Sequence, residues 1–266
     1  MRSGKNNEAT ADEVRRIADF EHRLAKAQAS EVIDLGFGYA VLQAEFPVSH
    51  AHNRIAVTSG APAAEILSLT DEVLGSAGLG HRYISVDGPL ADQVAGVFAD
   101  AGYEHEKIAS MVYRGPVPPP TGPDAVPVQA VTFEEVRPAI VRDWRIDFPD
   151  ASDDAVRQLA DRTVLYERGA AVDRLVVHGD GEVAARADLF LDGVDRIARF
   201  ENLVTHARYR GRGYGGALLR EAARRASLAG SELFVLTADT NDWPYGWYRR
   251  FGFGDVTVSH HFTRHL

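Results

Sequence analysis

The sequence predicts an α/β chain built on mixed sheets and arranged as two similar halves in tandem. Three observations carry that expectation. Short apolar runs of strand character alternate with amphipathic helical stretches. The same succession of elements occurs twice. Between the two occurrences stands Gly115-Pro116-Val117-Pro118-Pro119-Pro120-Thr121-Gly122-Pro123, too rich in proline for a helix or a central strand and suited to a semi-rigid spacer. The expected domains are therefore 1–115 and 126–266, joined by a linker at 116–125.

In the first half, Asn53-Arg54-Ile55-Ala56-Val57-Thr58 reads as a strand, 61–74 as a helix and 82–86 as a second strand. A helix over 90–100, the turn Ala101-Gly102-Tyr103 and a strand over 107–113 complete it. In the second half a strand is expected at 126–132, helices at 133–148 and 153–168, and a strand at 174–178. Gly179-Asp180-Gly181 and Asp192-Gly193 are turns that lead into strands at 182–191 and 196–205. After an arginine and glycine turn, a helix opens at about Gly213. It carries Leu218, Leu219, Ala222, Ala223 and Ala226 on one face and Arg220, Glu221, Arg224 and Arg225 on the other, with Gly230 as its stop. The nearly all-apolar Glu232-Leu233-Phe234-Val235-Leu236-Thr237 reads as a buried parallel strand.

The turn is the most informative segment. In Arg210-Gly211-Arg212-Gly213-Tyr214-Gly215-Gly216 the glycines allow close backbone approach to an anion and unusual dihedrals, and the helix N-terminus aims free amides and a positive dipole end at the same point. Arg210 and Arg212 add fixed charge. Such a turn suits a pyrophosphate. Gly211, Gly213 and Gly216 also satisfy the dinucleotide-binding G-x-G-x-x-G spacing, but there the first glycine follows its strand almost directly and further βα units follow. Here a loop intervenes, and only one more strand, helix and strand remain. A Walker A loop is excluded because no Gly-Lys-Ser or Gly-Lys-Thr is present.

Two signatures in order, Arg-x-x-Gly-x-Gly at Arg210, Gly213 and Gly215, and Asn241 with Tyr248 followed by Gly252-Phe253, make the chain resemble the GNAT superfamily of acyl-CoA-dependent N-acyltransferases. The resemblance covers about half the chain, from Val126 onward. Pro244 departs from the family's pattern, although proline is acceptable in a first helical turn. The order βααβββαβαβ is the family's, one terminal strand short. The resemblance implies that Leu203, Val204 and Thr205 pair with the pantetheine arm of acetyl-CoA, and that the amides of 210–216 hold its pyrophosphate. It further implies that Asn241 contacts the CoA arm and that Tyr248 gives a proton to the departing thiolate. A base is also needed for the attacking amine. Glu201, just upstream on the same strand, is the best-placed carboxylate, although Arg199 shares its strand face and an ion pair would explain both residues. Tyr248 has a packing alternative among Trp243, Tyr245, Trp247, Phe251 and Phe253.

The first half reads as a degenerate GNAT-like copy. Ser59-Gly60-Ala61-Pro62 stands where the pyrophosphate loop would be, and no tyrosine matches Tyr248. Its expected jobs are to complete the sheet, wall off the acceptor site or mediate homodimerisation. A small α/β domain unrelated by descent is the alternative. The expected function is transfer of an acetyl group from acetyl-CoA to an amine of a small molecule or peptide. The alternatives are a CoA-binding sensor without chemistry and a transferase for a longer acyl group or an ester product. The acceptor is expected near 144–154, where Asp147, Asp150, Asp153 and Asp154 would favour a cationic amine; helix capping explains Ser152 and Asp153 equally well.

The net charge of −9 argues against nucleic acid as a partner. Absence of cysteine removes thiolate metal sites, disulfides and a cysteine nucleophile. His260 and His261, adjacent in a strand, point to opposite faces and cannot share a metal, and His50 with His52 fall short of a ligand set, so no metal cofactor is expected. The polar N-terminus and the lack of any span-length apolar run predict no membrane partner and a cytoplasmic location.

Overall fold

The computed structural model describes residues 9–116, 118 and 126–266; most of the expected linker at 116–125 and the polar N-terminal segment lie outside the described residues. The chain opens with α1 (Ala11–Gln28), whose start is fixed by a reciprocal cap. The Thr10 hydroxyl accepts from the Glu13 amide at 3.1 Å, and the Glu13 carboxylate accepts from the Thr10 amide at 2.9 Å. There follow β1 (Glu31–Asp34), β2 (Gly38–Leu42), β3 (Arg54–Val57), α2 (Ala63–Ser76), β4 (His81–Asp87), α3 (Ala91–Asp100) and β5 (Glu104–Tyr113). The second half supplies β6 (Gln129–Val131), α4 (Phe133–Asp147), α5 (Asp153–Asp161), β7 (Ala171–Gly179), β8 (Glu182–Asp192) and β9 (Ile197–Thr205). The last elements are α6 (Tyr214–Leu228), β10 (Leu233–Asp239), α7 (Trp243–Phe251) and β11 (Phe253–His265).

From β6 onward the order is βααβββαβαβ, as expected. One helix is shorter than its pattern: α5 stops at Asp161, and 162–168 continue as a 3-10 turn rather than as the helix expected to 168. There the Thr163 hydroxyl donates to the Ala160 carbonyl at 2.9 Å, a side-chain bond that competes with α-helical pairing.

The described chain divides into two compact units, residues 1–111 with 237–266, and residues 112–236. This division by compactness differs from the boundary expected at 116–125, because the final segment sides with the first half. In the first unit the strands run β1-β2-β3-β4-β11-β5. β11 is antiparallel to β4 from Ser259↔Asp87 to His265↔His81, so the last strand of the chain fills an interior place in that sheet. This pairing is non-local, and no periodicity announces it. Ile55, Val57, Ile84, Val86 and Phe262 build the core beneath α2 and α3 together with Ile66, Leu74, Val94 and Phe98. Tyr39, Val41 and Ala56 form a smaller cluster of their own, as strand alternation requires.

In the second unit the order is β10-β9-β8-β7-β6, antiparallel except for β9 and β10, which run parallel. Val136 and Ile140 of α4 and Ala160 of α5 pack on Val176, while α6 packs on β7, β8 and β9 through Leu218, Leu219, Ala222 and Ala226.

Candidate active site

The distinctive feature of the second unit is the way β9 leaves its neighbours. The parallel ladder of β9 and β10 runs from Ile197↔Leu233 to Phe200↔Leu236 and ends there, although β9 continues to Thr205. On its other side β9 stays paired to β8, but Asp188 stands opposite Glu201 while Arg186 stands opposite Val204, so β9 carries one extra residue. Asn202 absorbs it with φ 55°, the left-handed region that asparagine tolerates better than most side chains. Leu203, Val204 and Thr205 therefore sit half-buried on a strand with no ladder partner on the β10 side among the described residues. An extended ligand backbone could add itself there as a strand.

The chain then turns through Ala207–Tyr209 into the arginine and glycine segment. Tyr209 is its anchor and is fully buried. Its hydroxyl lies 2.8 Å from the Gly179 carbonyl and 3.0 Å from the Glu182 carboxylate, while Arg208 and Arg212 cover its ring at 4.6 and 5.2 Å. Burial, aided by the Glu182 carboxylate, pushes the phenol up to about 12 and keeps its proton in place. Gly179 is required by this anchor, since a Cβ there would stand 2.7 Å from the Tyr209 ring. The sequence marks Gly179 as a turn residue but does not announce its contact with Tyr209; an aromatic residue between arginines in a turn is the available signal.

Gly211 and Gly213 both adopt positive φ, 77° and 78°, with open space where a Cβ would project. Gly213 caps α6 without a side-chain acceptor, and the first intrahelical bond runs from the Ala217 amide to the Gly213 carbonyl at 3.0 Å. The first amides of α6, from Tyr214 to Gly216, thus lie in the uncapped turn where a helix offers N–H groups and its positive dipole end to an anion. The Arg210 Nε donates to the Thr205 carbonyl at 3.1 Å, which ties the loop to the end of β9.

Glu201 points from the same strand, but its carboxylate is paired with the Arg199 Nε at 2.7 Å, the ion pair that shared strand faces allow. Beside it lie the buried Asp188, which accepts from the Asn202 amide at 2.7 Å, and a buried pair of Arg186 and Asp143, also at 2.7 Å. The acidic segment 147–154 is exposed and used locally: Asp153 pairs with Arg145, Asp154 with Arg157, and the Ser152 hydroxyl caps α5. Among the described residues no group of histidine, aspartate and glutamate side chains could hold a metal.

Asn241 and Tyr248 belong to the first unit. The Asn241 amide donates to Asp239 at 2.8 Å. Asp242 caps α7, Pro244 occupies its first turn as expected, and Gly252 ends it at φ 115°. Tyr248 is buried between Trp247 and Phe253, with ring centroids at 5.1 and 6.0 Å.

Residues 164–254 match the family model described as an acetyltransferase (GNAT) domain. The chain carries a GNAT acetyltransferase domain. The segment it occupies contains β9, the glycine loop, α6, β10 and α7, and it makes the chain an acyltransferase. No curated protein matches the sequence. Among solved structures, a functionally unknown protein from Staphylococcus epidermidis is similar at TM-score 0.70 and 12% identity, covering 89% of this chain and 94% of that one. A GCN5-related N-acetyltransferase from Kribbella flavida is similar at TM-score 0.60 and 18% identity, over 91% of this chain and 95% of its own. Another from Sphaerobacter thermophilus reaches 0.55 and 15%, over 97% and 94%. These likenesses show the fold, and they extend over both halves, beyond the segment that the GNAT model covers.

Proposed function

We propose that the protein is an N-acetyltransferase that moves the acetyl group of acetyl-CoA to a primary amine of a small molecule or peptide, by direct attack in a ternary complex. The observation that carries this reading is the open edge of β9 at Leu203–Thr205 followed at once by the uncapped, arginine-flanked start of α6. The edge suits the amide-bearing pantetheine arm and the loop suits its pyrophosphate. In the reaction the amine nitrogen bonds to the thioester carbonyl carbon, the carbon–sulfur bond breaks, the amine proton passes to a base and the thiolate receives a proton. By resemblance Tyr248 supplies that proton and Asn241 contacts the CoA arm. Glu201 serves as base, held in orientation by Arg199.

The first half is read as a GNAT-like copy that has lost CoA binding. Its parallel pair β3 and β4 stays laddered through Ile55↔Ile84 to Val57↔Val86, the last residue of β3. The gap beneath Ser59, Gly60 and Ala61 has no room for a water molecule. A CoA-binding sensor is the second reading, favoured by the Arg199–Glu201 pair, which gives Glu201 a structural occupation. Thiol release measured across a panel of amines separates the two. The transferase reading expects CoA released in step with amine consumed, and the sensor reading expects acetyl-CoA binding with no release for any amine. Among the described residues no helix is long and apolar enough to cross a membrane.

A further inference from the structure

The first unit has a second concavity, well away in sequence from the GNAT motifs, formed by polar residues that present both polar and apolar surface. It is a cavity of about 450 Å³ lined by Asp19, His22, Arg23 and Lys26 of α1, Tyr39 of β2 and Thr58 at the end of β3. The four helical residues recur at the spacing of one helix face, while Ile17, Phe20 and Leu24 occupy the buried face. A solvated helix face needs no partner, yet this one is organised. The His22 Nδ1 lies 2.8 Å from the Tyr39 hydroxyl and its Nε2 lies 3.1 Å from the Asp87 carboxylate, so Asp87 and Tyr39 fix the ring from both sides. The Lys26 ammonium stands 4.3 Å above the Tyr39 ring, and His22 meets that ring edge-on at 5.6 Å. Burial pushes the Tyr39 phenol up to about 12, so its oxygen remains a neutral hydrogen-bonding group.

Charge indicates the occupant. The chain as a whole is strongly acidic at −9, yet the cavity lining carries Arg23 and Lys26 against Asp19, which is itself paired with Arg15 at 3.3 Å; the Asp87 carboxylate stands behind the His22 ring. A guanidinium fork and an ammonium one helical turn apart suit the planar oxygens of a carboxylate, while the Tyr39 hydroxyl is held by His22 and the Thr58 hydroxyl donates to the Phe37 carbonyl. The volume falls in the range of small-molecule sites, about 300–1,000 Å³.

We propose that the first unit is a binding domain for a small carboxylate, held between α1 and β2 by Arg23 and Lys26 beside the Tyr39–His22 pair. No chemistry is assigned to the site. It gives the half without a CoA loop a ligand of its own.

The test is calorimetric titration of the full-length protein with succinate at constant ionic strength, with inorganic phosphate as a parallel arm. Three single variants are compared: Lys26→Glu and Asp19→Asn in the cavity, and Gly213→Glu at the start of α6. Lys26 and Asp19 are exposed, so neither substitution threatens folding. The proposal expects saturable succinate binding that weakens by at least about tenfold in Lys26→Glu, tightens in Asp19→Asn and is unchanged in Gly213→Glu. Loss of succinate binding in Gly213→Glu would move the anion to the α6 loop and overturn the proposal. Saturable phosphate binding without succinate binding would overturn the choice of carboxylate, and absence of any saturable succinate binding would overturn the site.

Discussion

The Asn202 side chain donates to the Asp188 carboxylate at 2.7 Å, and this contact joins the extra residue of β9 to the buried interior of the second unit. Asn202 holds φ 55° inside a strand, a conformation that costs about 1–3 kcal/mol for most side chains and needs support from its surroundings. Asp188 supplies the support, and the edge of Leu203–Thr205 depends on it. Asn202→Gly keeps the left-handed conformation and loses only the hydrogen bond, so its unfolding free energy should fall by about 1 kcal/mol. Asn202→Val should lose about 2–4 kcal/mol in urea denaturation, because a β-branched residue fits neither the dihedral nor the carboxylate. Equal losses in the two variants would show that the bulge is not strained.

Asp188 also gives a pH dependence with a definite sign. Burial raises its carboxyl above the ordinary range, while the Asn202 amide, Arg186 and Arg174 pull it back and the Glu201 carboxylate raises it further. A carboxyl raised in the folded state favours folding while protonated, and that contribution is lost as pH rises from about 3.9 through the folded value. Asp188→Asn removes the loss and can still accept from Asn202. Its stability relative to the parent should therefore be greater at about pH 8 than at about pH 4.5, measured by urea midpoints. A difference independent of pH would remove Asp188 as the titrating group.

Histidines in the first unit act with the opposite sign. His81 is buried, and that burial lowers its pKa while its bond to the Asn53 carbonyl opposes the shift; His265 and Arg82 also face it and lower it. His260 lies 2.9 Å from His105, with burial the main cause of lowering for both; Lys107 lowers both further and Asp92 opposes the shift at His260. A histidine whose pKa is depressed stabilises the fold above the unfolded value of about 6.5, and that contribution is lost as pH falls through the folded value. The thermal midpoint should drop between about pH 7 and about pH 5, and less so in His105→Gln. An unchanged slope in that variant would exclude the His105–His260 pair.

Tyr209 and Gly179 make a packing prediction. Gly179→Ala places a methyl 2.7 Å from the Tyr209 ring and should cost about 1–3 kcal/mol while weakening acetyl-CoA binding through the displaced loop. Tyr209→Phe keeps the ring and leaves the Gly179 carbonyl and Glu182 without the hydroxyl, for about 1–2 kcal/mol. Unaltered acetyl-CoA affinity in Gly179→Ala would show that the loop does not rest on this contact.

Local chemistry made much of this legible in sequence. Gly213 and Gly230 bracket α6 because each takes a positive φ that other residues resist, and the βααβββαβαβ order follows from apolar periodicity and turn residues. Ahead of Asn53, α1, β1 and β2 lie outside the expected elements, although the Thr10 and Glu13 cap of α1 is a sequence signal. What local pattern does not encode is partner choice. That β11 pairs with β4, that β9 gains a residue at Asn202, and that Tyr209 reaches back to Gly179 all depend on segments distant in the chain. Glu201 was legible as a strand-face partner of Arg199 because residues two apart on a strand share a face.

The most direct measurement is calorimetric titration of the full chain and its Gly213→Glu variant with acetyl-CoA. One site per chain, abolished by the carboxylate placed at the start of α6, is the predicted result. No binding to the parent, or binding that Gly213→Glu leaves intact, would contradict the assignment of the 210–216 loop. Two sites per chain would contradict the reading of the first half.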